Sequence, residues 1–187
     1  LLPDGQVEVP RWRHAVINFP HPLLMRGLVV LDTPGLNAIG TEPELTLNLL
    51  PNAHAVLFIL AADTGVTKSD IEVWRDHIGN QQGHQKGRLV VLNKIDSLWD
   101  ELKSAEEIER EIDKQVSTSA SLLGIKPAYV FPVSAQKGLL AKINRDEPLL
   151  ERSCLLALEK SLSDELIPSK QEIVRDNTRG EIEHMEE

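Results

Sequence analysis

Cysteine is almost missing from this chain: Cys154 is the one thiol in 187 residues. No disulfide can close within it, and a reducing, cytoplasmic compartment is expected. Positive charge is also short, with 20 Lys and Arg against 29 Asp and Glu for a net charge of −9. That balance argues against a nucleic-acid partner and leaves no basic stretch for anionic lipid. No apolar run approaches the ~18 to 20 residues of a membrane span, and the N-terminus lacks the basic start and apolar core of a signal peptide. The first residue is Leu1 rather than Met, so the chain reads as a fragment. The six histidines, His14, His21, His54, His77, His84 and His184, share no metal-ligand spacing and read as surface or loop residues. Nothing repeats internally. What is present is 41% apolar residues, enough for the core of one domain plus an appendage.

Three short apolar runs organise the rest. Leu28 to Leu31, two of them β-branched, read as a buried strand that stops at Asp32, followed by Thr33-Pro34-Gly35. A carboxylate at the carboxyl end of a strand, beside an accessible N–H near Gly35, suits a metal-bound phosphate. An ordinary strand and Pro-Gly turn explains that stretch alone equally well. The second run, Arg88 to Leu92, ends in Asn93-Lys94-Ile95-Asp96. A third, about Ala128 to Val133, ends in Ser134-Ala135-Gln136-Lys137-Gly138. All three reach polar signatures at the same end of one sheet.

Between these runs, Trp12 to Phe19 reads as an antiparallel edge strand beside Leu28 to Leu31. Pro43 opens a short helix that Pro51 ends, and Ala55 to Leu60 is a continuously apolar, central strand. Thr67 with Asp70 resembles a capping box, followed by an Ile71, Trp74, Ile78 stripe that stops at Gly79. Ser104 with Glu107 opens a second helix carrying Ile108, Ile112 and Val116. Cys154, Leu158, Leu162 and Leu166 at spacing four predict one amphipathic helix over Leu149 to Ile167, interrupted by Pro168. Gln171 to Glu187 is either a helix needing another domain or frayed chain. The alternation of strand and helix is α/β with a mainly parallel sheet.

Asp-x-x-Gly, then Asn-Lys-x-Asp, then Ser-Ala-x-x-Gly, each closing a hydrophobic strand, resembles the third, fourth and fifth motifs of the GTP-binding proteins. Guanine offers two N–H donors on one edge, and one carboxylate accepts both in a charge-assisted contact. By the resemblance that carboxylate is Asp96. Adenine lacks the donor pair, so the same group would reject ATP. The resemblance also implies that Asn93 braces the loops, Lys94 lies along the purine face, Ser134 belongs to the base site and the Ala135 backbone meets the guanine carbonyl. Lys137 would cover the other face of the base. It further implies that Asp32 holds Mg²⁺ through water and that the Gly35 N–H meets the γ-phosphate.

Within that class, Asp32 to Asn37, the segment Leu60 to Asp63, Val66 to Asp70 and the Pro168 break are similar to the bacterial dynamin-like large GTPases, from about Trp12 to about Ile173. The resemblance implies a three-layer GTPase-type sheet, GTP or GDP with Mg²⁺ as ligands, and GTP hydrolysis. It also implies a homodimer through the nucleotide face and a neck that couples the domain to membrane lipid through parts not present here. Residues 1–147 would be part of the G domain, and 148–187 its C-terminal helix leading into the neck. Pro168 matches the proline hinge of that neck, though an ordinary helix stop reads as well.

One departure is large. No Gly-Lys dipeptide occurs, so the Gly-x-x-x-x-Gly-Lys-Ser/Thr phosphate loop, and the central strand feeding it, are missing from these residues. Leu36 also stands where Ras-like proteins place a water-orienting Gln. Two alternatives stay open: a soluble translation or ribosome-assembly GTPase, and a non-catalytic G-like interaction module.

Overall fold

The computed structural model describes residues 15–33, 50, 53–79 and 87–166. Its centre is a sheet of three parallel strands in the order β1 (Val56–Ala61), β2 (Arg88–Asn93), β3 (Val130–Val133). β2 lies in the middle, and its side chains alternate between two covered faces. Val90 and Leu92, both 0% exposed, join Leu60, Trp74, Ile78, Ala120 and Leu123 on one side. Leu89 and Val91 join Val133, Leu158 and Leu162 on the other. A strand covered on both faces must be apolar at every position, which is why Leu89 to Leu92 shows no polar alternation.

Helices connect the strands, as parallel pairing requires. α1 (Pro22–Met25) is a single turn whose Leu23 packs against the second face. α2 (Lys68–Val73) starts from the Thr67/Asp70 capping box, with both reciprocal bonds formed, and widens into π-type turns over Trp74–Gly79. α3 (Ala105–Leu123) has the same device in Ser104 and Glu107 and ends at Gly124, whose φ of 67° accommodates a left-handed cap. Its Ile108 is buried and Ile112 and Val116 pack against the core. These boundaries follow the sequence because caps are contacts within one turn.

Two strand expectations are corrected. Residues 15–20 and 28–33 have no regular structure, so among the described residues neither the antiparallel edge strand expected over Trp12 to Phe19 nor the strand over Leu28 to Leu31 is formed, Trp12 to His14 lying outside them. Val29 is 85% exposed, and Val16, Ile17, Val30 and Leu31 are also exposed. An apolar run becomes a strand only where a neighbouring backbone completes its ladder, and among the described residues β1 is paired with β2 alone. Asp32 is therefore not at the end of a strand. Gly35, the helix expected from Pro43, Pro168 and Gln171 to Glu187 lie outside the described residues.

The C-terminal helix is also different from expectation. Instead of one helix from Leu149, α4 (Ala135–Asn144) is followed by α5 (Glu147–Arg152), a corner at Ser153 and Cys154, and α6 (Leu155–Ser161), which continues in wider turns over Leu162–Leu166. The corner exists because the Ser153 carbonyl accepts the Ser134 N–H at 2.9 Å and Cys154 takes a left-handed φ of 57°. A tertiary hydrogen bond replaces a helical one. Burial pushes the Cys154 thiol above its ordinary value, and its side chain packs against the core on the side of Val90 and Leu92.

Gly138 makes that corner possible. A Cβ there would lie 2.7 Å from Leu155 Cδ2, 2.9 Å from Leu155 Cβ and 3.0 Å from Ser153 Oγ. Leu155 Cβ sits at the helix backbone and cannot swing away, so Gly138→Ala is expected to destabilise the fold by about 1 to 3 kcal/mol through overpacking. A lower midpoint of urea unfolding in the intact protein checks this, and an unchanged midpoint contradicts it.

Candidate functional site

The register aligns Ala61 with Asn93 and Asn93 with Val133, so the residues after each strand meet at one edge of the sheet. Ala62 and Asp63 follow β1, Lys94 to Asp96 follow β2, and Ser134 to Lys137 follow β3. This is the carboxyl edge, where ligands of open α/β sheets bind.

Side chains stitch the last two segments together. Asn93 Oδ1 accepts the Lys94 N–H at 2.8 Å and the Ala135 N–H at 3.1 Å. The Ser134 hydroxyl, in a residue 0% exposed, donates to Asp96 Oδ1 at 2.6 Å and accepts the Lys137 N–H at 3.3 Å. Ser134 also serves as the N-cap of α4. One buried hydroxyl thereby ties the start of a helix to a carboxylate 38 residues earlier. Short O–H···O⁻ bonds to an ionised acceptor are among the stronger ones. The Asp96 carboxylate is thus held by its edge while the residue stays half-exposed.

Lys94 occupies the left-handed region with φ of 64°, an uncommon conformation for a side chain of this size. Asn93 holds its N–H, and its carbonyl accepts from both the Ser97 N–H at 3.0 Å and the Ser97 hydroxyl at 2.7 Å. Such local strain costs about 1 to 3 kcal/mol and persists where surrounding bonds overdetermine it. The twist sends the Lys94 ammonium to within 3.7 Å of Asp63 Oδ2, with both groups largely exposed. An exposed pair of this kind contributes about 0 to 1 kcal/mol, so an incoming ring could displace it at little cost.

Of the residues singled out from the sequence, Asn93, Lys94, Asp96, Ser134, Ala135 and Lys137 come together. Asp32 does not join them by any hydrogen bond or ion pair among the described residues; it is exposed, on a segment without regular structure. The Ala135 N–H, the expected donor to a base carbonyl, is engaged by Asn93 here. No cluster of three His, Cys, Asp or Glu capable of holding a metal ion occurs among the described residues. Mg²⁺ generally takes one or two carboxylates together with substrate phosphates, and these residues alone do not fit a resident ion.

Sequence reasoning missed Ser153 and Trp99, which bear on this edge, and read Gly138 only as the last residue of the Ser-Ala-x-x-Gly motif. Ser153 receives the Ser134 N–H, Gly138 admits the corner, and Trp99 lies beneath the Arg152 guanidinium at 4.1 Å. The one local signal was the Ser-Cys pair, poor helix formers inside an otherwise helical stripe.

No protein-family profile matches the chain. A probable transmembrane GTPase, FZO-like and chloroplastic, from Arabidopsis thaliana is 32% identical over 143 residues, covering 76% of this chain and 14% of that protein. The bacterial dynamin-like protein of Nostoc punctiforme is 24% identical over 151 residues, covering 81% of this chain and 20% of that protein. The chain therefore spans a small part of the length of either relative. Among solved structures, Aquifex aeolicus Era bound to GDP and AlF4⁻ has a TM-score of 0.41 at 22% identity, over 66% of this chain and 32% of that one.

Proposed function

We propose, from the relationship of this chain to the dynamin-like GTPases, that the protein to which it belongs binds guanine nucleotide at the carboxyl edge of the sheet and hydrolyses GTP. The observation that carries the reading is the Asn93, Asp96 and Ser134 cluster. A carboxylate fixed along one edge by a buried hydroxyl is the acceptor that the paired N1 and 2-amino donors of guanine need. Asn93 Oδ1 and the Ser134–Asp96 bond tie the two loops together. Lys94, leaving Asp63, would lie along one face of the purine and Lys137 along the other.

Residues 1–147 then belong to the G domain and 148–187 lead out of it toward a neck. Asp32 and the Gly35 N–H are assigned to the phosphate end, with Mg²⁺ carried on the phosphates, and water attacking the γ-phosphate is the reaction. Dimerisation through the nucleotide face would bring the Asp63 to Asp70 segment into contact with a second copy and supply the hydrolytic group that Leu36 does not. Membrane coupling would lie in other parts of the protein. Among the described residues no helix is long and apolar enough to cross a membrane.

Calorimetric titration of the intact protein with GDP and ADP tests the base reading. GDP should bind at least about a hundredfold tighter, because adenine leaves the Asp96 carboxylate poorly paired. Equal affinities would refute it. Tight GDP binding without GTP turnover would instead identify a non-catalytic G-like module.

A further inference from the structure

Arg152 and Ser153 touch the candidate base site from behind, through two separate routes. The Ser153 carbonyl takes the N–H of Ser134, whose hydroxyl holds Asp96. The Arg152 guanidinium stacks 4.1 Å over the ring of Trp99, and the Trp99 backbone N–H donates to the Asp96 backbone carbonyl at 3.2 Å. Trp99 ends the short turn Ile95–Leu98, which carries Asp96 and is anchored by the fully buried Ile95. The corner that presents Arg152 and Ser153 is itself braced. The Ser153 hydroxyl donates to the Leu150 carbonyl at 2.6 Å and accepts the Leu155 N–H at 3.3 Å, while Lys142 of α4 pairs with Glu159 of α6. One dipeptide thus grips both ends of the support of a single carboxylate.

We propose that Arg152 is a positioning residue for guanine recognition, fixing the Asp96 turn through its stacking on Trp99. The inference rests on the guanine reading above. Asp96 can accept two base donors only if its plane is set before the base arrives, and the other bonds of the five residues between β2 and Trp99 hold the backbone at Lys94 and Ser97. Ser134 orients one carboxylate oxygen. Trp99, pinned by Arg152, limits rotation of the backbone that carries the carboxylate. An adjustable contact at this point would loosen base discrimination without opening the core, since Arg152 is exposed and Trp99 only half-buried.

The test compares GDP with inosine diphosphate, which lacks the 2-amino donor, by calorimetry on the intact protein. The wild type should prefer GDP. Arg152→Ala should weaken GDP binding by about two- to fivefold, the equilibrium equivalent of an exposed cation–π contact, and should narrow the GDP to IDP ratio. Arg152→Lys, which keeps a cation over the ring, should restore most of that ratio. Trp99→Ala should give the same loss, and combining it with Arg152→Ala should add little, because both remove one contact. A merely structural role would lower the melting temperature while leaving the ratio intact. A wild type that prefers GDP, with Arg152→Ala showing the same affinity and ratio, overturns the inference alone. A wild type with no preference between the two nucleotides overturns the guanine reading and this inference with it.

Discussion

Asp96→Asn in the intact protein is expected to cost about 2 to 5 kcal/mol of GDP affinity, the usual loss when one partner of a hydrogen-bonded charge pair is removed. The amide keeps one oxygen for the Ser134 hydroxyl but turns its second acceptor into a donor, which then faces the guanine 2-amino group or N1–H. Two donors opposed in a dry site leave both unpaired. Xanthine places a carbonyl where guanine has the amino group, so the same variant should gain affinity for xanthosine diphosphate. Competition binding with the two diphosphates reads the exchange directly. Equal preference before and after the substitution would remove Asp96 from the site.

The 187 residues expressed alone should show no measurable GTPase activity and no GDP binding at micromolar concentration. No Gly-Lys dipeptide is available to hold phosphates. The sheet is also exposed where a central sheet should be closed. Among the described residues β1 has a strand on one side only, Ile59 is 62% exposed on the face opposite α2, and Leu28 to Leu31 lie outside any sheet. Unpaired strand edges beside exposed apolar side chains invite association between chains. Each buried group left without a partner would cost about 1 to 3 kcal/mol, against the ~5 to 15 kcal/mol that stabilises a whole domain. Low solubility and a broad, weakly cooperative melt are therefore expected. A cooperative melt above ~50 °C together with micromolar GDP binding would show that the sheet is complete without a further strand.

The base side of the candidate site was far more legible than its phosphate side. Asn93, Lys94, Asp96 and Ser134 lie together at one sheet edge because each stands at or just after the end of a strand whose apolar run is unmistakable. Asp32 follows an equally apolar run, yet that run is unpaired and exposed. Identical local patterns thus had different outcomes, and the difference lies in whether another strand is present to bond with. The helix expected over Leu149 to Ile167 failed for a related reason. Spacing four at Cys154, Leu158, Leu162 and Leu166 correctly marked Leu158 and Leu162 as core, but it could not register that the Ser153 carbonyl is claimed by Ser134.

By itself the sequence determined the features whose physics is confined to a few neighbouring residues. The capping boxes at Thr67/Asp70 and Ser104/Glu107 start their helices where expected, Gly124 ends α3, and the unbroken apolar run of Leu89 to Leu92 marks a strand buried on both faces. Tertiary structure alone decided which apolar runs became strands, where the C-terminal helix turns its corner, and why Gly138 tolerates no side chain. It also decided how Trp99 and Arg152 come to lie behind Asp96. Those features depend on hydrogen-bond ladders and close contacts between residues far apart in the chain, and a strand or a corner of that kind has no energy of its own until its distant partner is in place.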